Sequence, residues 1–152
     1  MQMSWRLLIA ALLSTTGICS CVTAGTGAQP SANSQLPTLS GDSFSGVIVP
    51  AGHFVTGAWT PSEADVLRAE PTIQRCIVAQ RHDLRRTLSR FVRQYSGDTL
   101  EGRRVLRVDL FDPRYHPIKN LRQAVTVVDA SGDDYFMVEY VLESEKCTLY
   151  RY

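Results

Sequence analysis

Arginine is the commonest side chain in this sequence that is able to do chemistry, and its placement is uneven. Fourteen arginines stand against two lysines. Arg75, Arg81, Arg85, Arg86, Arg90, Arg93, Arg103, Arg104 and Arg107 crowd into one stretch where only Asp83, Asp98 and Glu101 oppose them. A guanidinium fork meets a carboxylate or phosphate through two parallel hydrogen bonds, so this run is suited to recognising an anion. Arg86, Arg90 and Arg93 follow one another at spacings of four and three, which on a helix makes a single stripe facing away from Leu84, Leu88 and Phe91. The plainer account of the stripe is a solvated helix face. Its counterpart is acidic: Asp129, Asp133, Asp134, Glu139, Glu143 and Glu145 precede Lys146 with no base among them, and the two regions could neutralise each other within the fold.

Catalytic and metal-binding patterns are weak. His53, His82 and His116 each lack a Cys or His at ligand spacing, so neither a metal nor a cofactor is expected. No nucleophile elbow singles out a serine. Asp109 with Asp112, or Asp133 with Asp134, would serve as acid and base only if folding shifted a pKa, and loop carboxylates are more often turn formers. The segment from Asp129 to Asp134 lacks the alternating acids and closing Glu of a calcium loop and reads as a hairpin connection. The expectation is a protein that is not an enzyme.

The first residues read as an export signal: Arg6 is the only charge among the first forty, and the apolar block Leu7 to Leu13 follows it. A spanning helix needs roughly 20 apolar residues, and this block ends sooner, at Ser14-Thr15-Thr16-Gly17. Ile18-Cys19-Ser20-Cys21 resembles a bacterial lipobox, which implies that Cys21 is lipidated and becomes the new N-terminus. Cys19 stands where Ala, Ser or Thr is usual, and cleavage after Ala24 or Ala28 without lipid, or an uncleaved anchor, are the alternatives. Val22 after the anchor, rather than the inner-membrane retention residue Asp, points to the outer membrane. Losing residues 1–20 leaves 15 basic against 15 acidic side chains, so no global charge favours nucleic acid.

Export changes the reading of the remaining cysteines, because an oxidising compartment permits disulfides. Cys76 and Cys147 are either bridged or two buried thiols. From 21 to 43 the chain is rich in Ser, Thr, Gly, Ala, Pro and Gln without periodicity, and it reads as a disordered tether. A single domain is expected over 44–152, in line with domains of about 100–150 residues.

The elements that position these groups follow from periodicity. Gly46 to Val49 reads as a short strand. Thr60-Pro61-Ser62-Glu63 reads as an N-cap with Pro at the first helical position and Glu three residues after the cap, with Trp59 placed to staple onto the first turn. Helix is expected through Val66, Leu67, Ile73, Cys76 and Ile77, kinked or split at Pro71. A second helical stretch is expected on Leu84, Leu88, Phe91, Val92 and Tyr95, ending at Ser96-Gly97-Asp98. After Gly102 the period becomes two. Strands are expected at Val105 to Phe111, Ala124 to Val128, Tyr135 to Leu142 and Cys147 to Tyr150. In the long strand both Phe136, Val138, Tyr140 and Leu142 on one face and Tyr135, Met137, Glu139 and Val141 on the other are more apolar than a solvated sheet requires. That surplus suggests either a binding surface, with Tyr135 and Met137 in it, or the seat of a second layer.

The expected class is α+β: a short N-terminal strand and a kinked helical segment packed on a four-stranded antiparallel sheet. The order strand, helix, four strands resembles the cystatin-like roll. Inhibitory cystatins carry a Gln-x-Val-x-Gly loop, and Gln123-Ala124-Val125-Thr126-Val127 has Val in place of the Gly, so protease inhibition is not implied. Trp59-Thr60-Pro61-Ser62-Glu63-Ala64-Asp65, Arg93-Gln94-Tyr95-Ser96-Gly97 and Gly132 to Phe136 make the stretch from about Gly46 to Leu142 similar to small uncharacterised bacterial envelope proteins, which implies fold and location only. The functional expectation is an exported periplasmic lipoprotein that binds a macromolecular partner, as an inhibitor or immunity factor would. Arg86, Arg90, Arg93, Tyr135 and Met137 are its candidate contacts. The alternatives are a small-ligand-binding or hydrolytic roll, with a polar residue such as His53 or Asp109 beside Tyr140, and a structural envelope component.

Overall fold

The structure, a computed structural model, describes residues 35–53, 57–115, 118–123 and 134–150. The export signal, Cys21, His116, the expected strand at 124–128 and the loop at 129–133 lie outside the described residues. In chain order the elements are β1 (Thr38–Gly41), β2 (Phe44–Ile48), α1 (Glu63–Gln80), two 3-10 turns (His82–Arg86 and Leu88–Arg90), β3 (Val92–Leu100), β4 (Arg103–Phe111), a short α2 (Ile118–Leu121), β5 (Tyr135–Val141) and β6 (Lys146–Tyr150).

The fold is α+β, and its sheet has six strands in the order β1-β2-β3-β4-β5-β6. It is mixed: β2 and β3 run parallel, and every other neighbouring pair is antiparallel. A parallel pair needs a long crossover, and α1 with the two 3-10 turns supplies it. This differs from the expected four-stranded antiparallel sheet in three places. The segment read as a tether enters the sheet as β1, because Leu36 and Leu39 are buried. The segment read as a second helix becomes β3. And β4 pairs directly with β5.

The helix starts two residues later than its sequence signature suggests. Thr60 Oγ1 accepts a hydrogen bond from the Ala51 amide, so it is not available to cap α1. Ser62 takes that role, accepting from the Asp65 amide, while the Asp65 carboxylate accepts from the Ser62 amide in a capping box. Trp59 is not a staple: its indole donates to the Asp98 carbonyl, and its backbone bridges to Gly97. Val66, Ala69, Glu70, Ile73 and Ile77 form the buried face of α1. Pro71 is exposed, and α1 runs through it without splitting. The carbonyl of Leu67, left without a partner by the proline, belongs to an exposed turn where water can satisfy it.

Alternation decides which sheet face meets α1. Ile48, Tyr95, Val108, Val138 and Tyr140 join the α1 side chains in the main core, so the even-numbered residues of β5 face the helix. Cys76 near the end of α1 is disulfide-bonded to Cys147 on β6 and ties the helix to the sheet edge. On the other face Leu36, Val47, Val49, Val92, Phe111, Leu121 and Tyr135 form a second, smaller cluster.

Candidate binding site

The expected arginine stripe does not exist as a stripe, because its three members occupy different structures. Arg86 and Arg90 sit on the 3-10 turns and are exposed, whereas Arg93 is on β3 and fully buried. The turns form because Leu84 and Leu88 insert into the core like pegs, 7% and 5% exposed, while the amides of Thr87 and Phe91 close onto the Leu84 and Leu88 carbonyls. Arg85 and Arg86 between the pegs, and Ser89 and Arg90 between Leu88 and the buried Phe91, are driven outward. Arg85, Arg86 and Arg90 are therefore presented to solvent on a short rigid connection.

Arg93 instead completes a polar network inside the main core. Its Nε lies 3.0 Å from Oε1 of Glu70, and its Nη1 donates to the Phe91 carbonyl at 2.8 Å. The Tyr95 hydroxyl donates to the same Glu70 oxygen at 2.7 Å, and Gln74 donates to the other at 2.9 Å. The Phe44 ring lies 5.6 Å beneath the guanidinium. Nη2 of Arg93 has no hydrogen-bond partner. Burial, then the Glu70 charge, pushes the Tyr95 phenol well above its usual range. Arg93, Glu70 and Tyr95 are shut away from solvent, so this part of the network is structural.

The face away from α1 holds another polar group. Tyr135 donates to Asp109 at 2.6 Å, and Arg107 Nε lies 3.5 Å from the same carboxylate. Burial raises the Asp109 pKa, opposed by Arg107 and by the Tyr135 hydrogen bond; burial and the Asp109 charge raise Tyr135 well above the ordinary phenol value. Tyr140, suggested as a neighbour for Asp109, faces α1 on the opposite side of the sheet. Tyr135 and Met137, suggested as exposed contacts, are 6% and 4% exposed. They are packing residues of that face. His53 is exposed on a turn.

The accessible concavity lies at the sheet end, where the 3-10 turns meet the segment after β4. It is a cleft of about 400 Å³ lined by Arg81, Asp83, Leu84, Thr87, Arg90, Phe91, Asp112, Pro113 and Arg114. Two of its arginines have carboxylate partners two residues away. Arg81 Nε and Nη2 donate to Asp83 at 2.9 and 2.7 Å. Arg114 Nε donates to both oxygens of Asp112 at 3.0 Å, and this hydrogen bonding and the Asp112 charge raise the Arg114 pKa further. Arg90 has no ion pair among the described residues. Asp112 thus serves as an arginine clamp, and the notion of it as the acid-base partner of Asp109 is not supported by these contacts.

Of the charged residues named from the sequence, Arg81 and Arg90 of the arginine run and Asp112, considered as an acid-base partner of Asp109, line this cleft. Arg114 is not among them, although Asp112-Pro113-Arg114, like Arg81-His82-Asp83, carries a visible signal: opposite charges two apart across a turn. Among the described residues no group of His, Cys, Asp and Glu could hold a metal ion, and no helix is long and apolar enough to cross a membrane. Comparison with protein-family models, with curated proteins and with solved structures finds no match.

Proposed function

We propose that this chain is an exported envelope protein, held at the periplasmic side of the outer membrane through lipid on Cys21, that binds a protein partner by the arginine-rich surface at the sheet end. The observation that carries the binding reading is the cleft beside Arg85, Arg86 and Arg90, with Arg90 exposed and lacking a carboxylate partner. Charge of one sign beside a concavity speeds encounter with an acidic partner and rejects basic ones. An inhibitor or immunity role fits such a surface. The export reading is supported by the tripartite leader and by the Cys76–Cys147 disulfide, a bond that the cytosol tends to reduce. The finer resemblance to a cystatin-like roll belongs to the same proposal, supported by one long helix against one face of a largely antiparallel sheet.

The experiment is affinity capture from envelope extracts with the full chain and its Arg85→Glu/Arg86→Glu/Arg90→Glu variant. Loss of a partner from the variant, and its loss from wild type at high salt, is the expected outcome. The same partners on both would reject the arginine surface. Labelling with a palmitate analogue tests the anchor, since label kept by Cys21→Ala would end that part of the reading.

One observation favours a second reading, a small-ligand-binding or hydrolytic protein: the buried Asp109 carboxylate accepts a hydrogen bond from Tyr135 beside Arg107, and burial raises its pKa. A screen for ligand-induced thermal stabilisation, repeated on Asp109→Asn, tests it. Stabilisation that is unchanged in the variant would reject a role for Asp109.

A further inference from the structure

We propose that the cleft at the sheet end is a carboxylate pocket, taking an acidic segment of the protein partner in which a carboxylate neighbours a bulky apolar side chain. The inference rests on the partner-binding reading above and names what that site recognises. It starts from the charges of the walls. Arg81 and Arg114 are each engaged by a carboxylate of their own, Asp83 and Asp112, and so contribute fixed donors with little net charge. Among the described residues Arg90 has no such companion, so the lining carries one positive charge in excess.

That single excess charge selects the ligand class. A carboxylate brings one negative charge and matches the guanidinium fork of Arg90. A phosphate monoester brings nearly two, and here it would have to approach the Asp83 and Asp112 carboxylates as well. Repulsion from like charges grows with the charge brought in, so a dianion is penalised about twice as much as a monoanion.

The floor supplies the second half of the specificity. Leu84, Phe91 and Pro113 give it apolar surface, and Phe91 is fixed from below by the Phe136 ring at 5.1 Å. A volume of about 400 Å³ lies at the small end of the range for ligand sites, room for a side chain or two and not for a polymer groove. Arg85 and Arg86 stand outside the lining. Their effect is on encounter and not on the seated carboxylate.

The test uses the full-length oxidised chain and two peptides, acetyl-Gly-Phe-Asp-Gly-amide and the same peptide with Asn for Asp, with binding followed by NMR titration. The Asp peptide is expected to shift the Thr87 and Phe91 amides and to bind at least about tenfold more tightly than the Asn peptide. Arg90→Gln should weaken it by about tenfold, whereas Arg85→Gln/Arg86→Gln should leave it within about threefold. Thr87→Glu, which puts a resident carboxylate into the cleft, should also weaken it. Equal binding of the two peptides, or no effect of Arg90→Gln, overturns the pocket. Inorganic phosphate binding more tightly than the Asp peptide also overturns it, in favour of a phosphate or lipid headgroup. The two readings fail separately. Partner capture lost on charge reversal with no peptide binding leaves the surface and removes the pocket; peptide binding with capture unaffected by charge reversal leaves the pocket and removes the partner surface.

Discussion

Replacing Glu70 by Gln removes the countercharge of Arg93 while preserving shape, and the structure sets how much that should cost. Arg93 is fully buried and Glu70 is 2% exposed, so neither can recruit water when its partner is lost. Breaking a buried pair by removing one member typically costs about 3–5 kcal/mol, because the remaining charge is stranded. Nη2 of Arg93 already lacks a partner, so the network has no spare acceptor to take up the loss. A small domain has only about 5–15 kcal/mol in all. With an m-value of about 1–3 kcal/mol per molar urea, the midpoint of Glu70→Gln should fall by at least about 1 M. Arg93→Met should cost less, since Glu70 keeps its hydrogen bonds from Tyr95 and Gln74. The double variant should be more stable than the sum of the singles implies, by about 2 kcal/mol, because it strands nothing. Urea unfolding of all four proteins with the disulfide intact measures this coupling. Additive losses, or a cost below about 1 kcal/mol for Glu70→Gln, would show that the pair is solvated or relaxes freely and would refute the reasoning.

Reduction of the Cys76–Cys147 bond, 71 residues apart in sequence, should lower stability by roughly 4 kcal/mol in the chain-entropy account, and Cys76→Ala/Cys147→Ala should be insensitive to reductant; comparing unfolding midpoints with and without dithiothreitol checks both. The Ser62 hydrogen bonds hold Asp65 below the ordinary aspartate value of 3.8, so its stabilisation is present above that value and is lost as pH falls through the folded-state pKa. The advantage of wild type over Asp65→Asn, read from thermal midpoints, should therefore be present at pH 6 and shrink below pH 4; an advantage that grew on acidification would contradict it. A Cβ at Gly97 would overlap the Trp59 carbonyl and indole, so Gly97→Ala should destabilise by about 1–3 kcal/mol and change Trp59 fluorescence. Unchanged emission would mean that the two elements are not in contact.

Where the sequence could be read, the reason is period. Alternation in Val105 to Phe111 and Tyr135 to Leu142 survives intact as β4 and β5, and the Glu143-Ser144-Glu145 turn before β6 is where it was expected, with Glu145 at a positive φ of 54°. The failure at β3 has an equally physical cause. Leu84, Leu88, Phe91 and Tyr95 do fall at helical spacings, but Leu84 and Leu88 reach the core from 3-10 turns, whereas Tyr95 reaches it from a strand. The strand's alternation was masked because its buried positions include Arg93, Gln94 and Ser96. A polar residue buried by a partner 23 positions earlier, as Arg93 is by Glu70, leaves no trace in local pattern. The cleft was missed for a related reason, since its walls come from segments about 30 residues apart and neither is amphipathic alone. The sequence points to Arg81 and Arg90 through the arginine run and to Asp112 only as a possible acid-base partner, with nothing to bring the three together.

The surplus of apolar residues on both faces of β5 allowed either an exposed binding face or a second packed layer, and the observed burial decides between them. Leu36 from before β1 and Leu121 from α2 join Val47, Val92, Phe111 and Tyr135, so the side away from α1 has its own small core. A face already covered cannot be the surface that offers Tyr135 and Met137 to a partner, whatever their types suggest. At the ends of the sheet, turns leave side chains uncovered. At the end next to the 3-10 turns these include Arg85, Arg86 and Arg90, of which Arg90 lines the cleft together with Leu84, Phe91 and Pro113. On the proposed reading the cleft lined by Arg90 is where a carboxylate seats, whereas Tyr135 and Met137 are buried, so Arg90→Gln should affect binding far more than any substitution on the faces of β5.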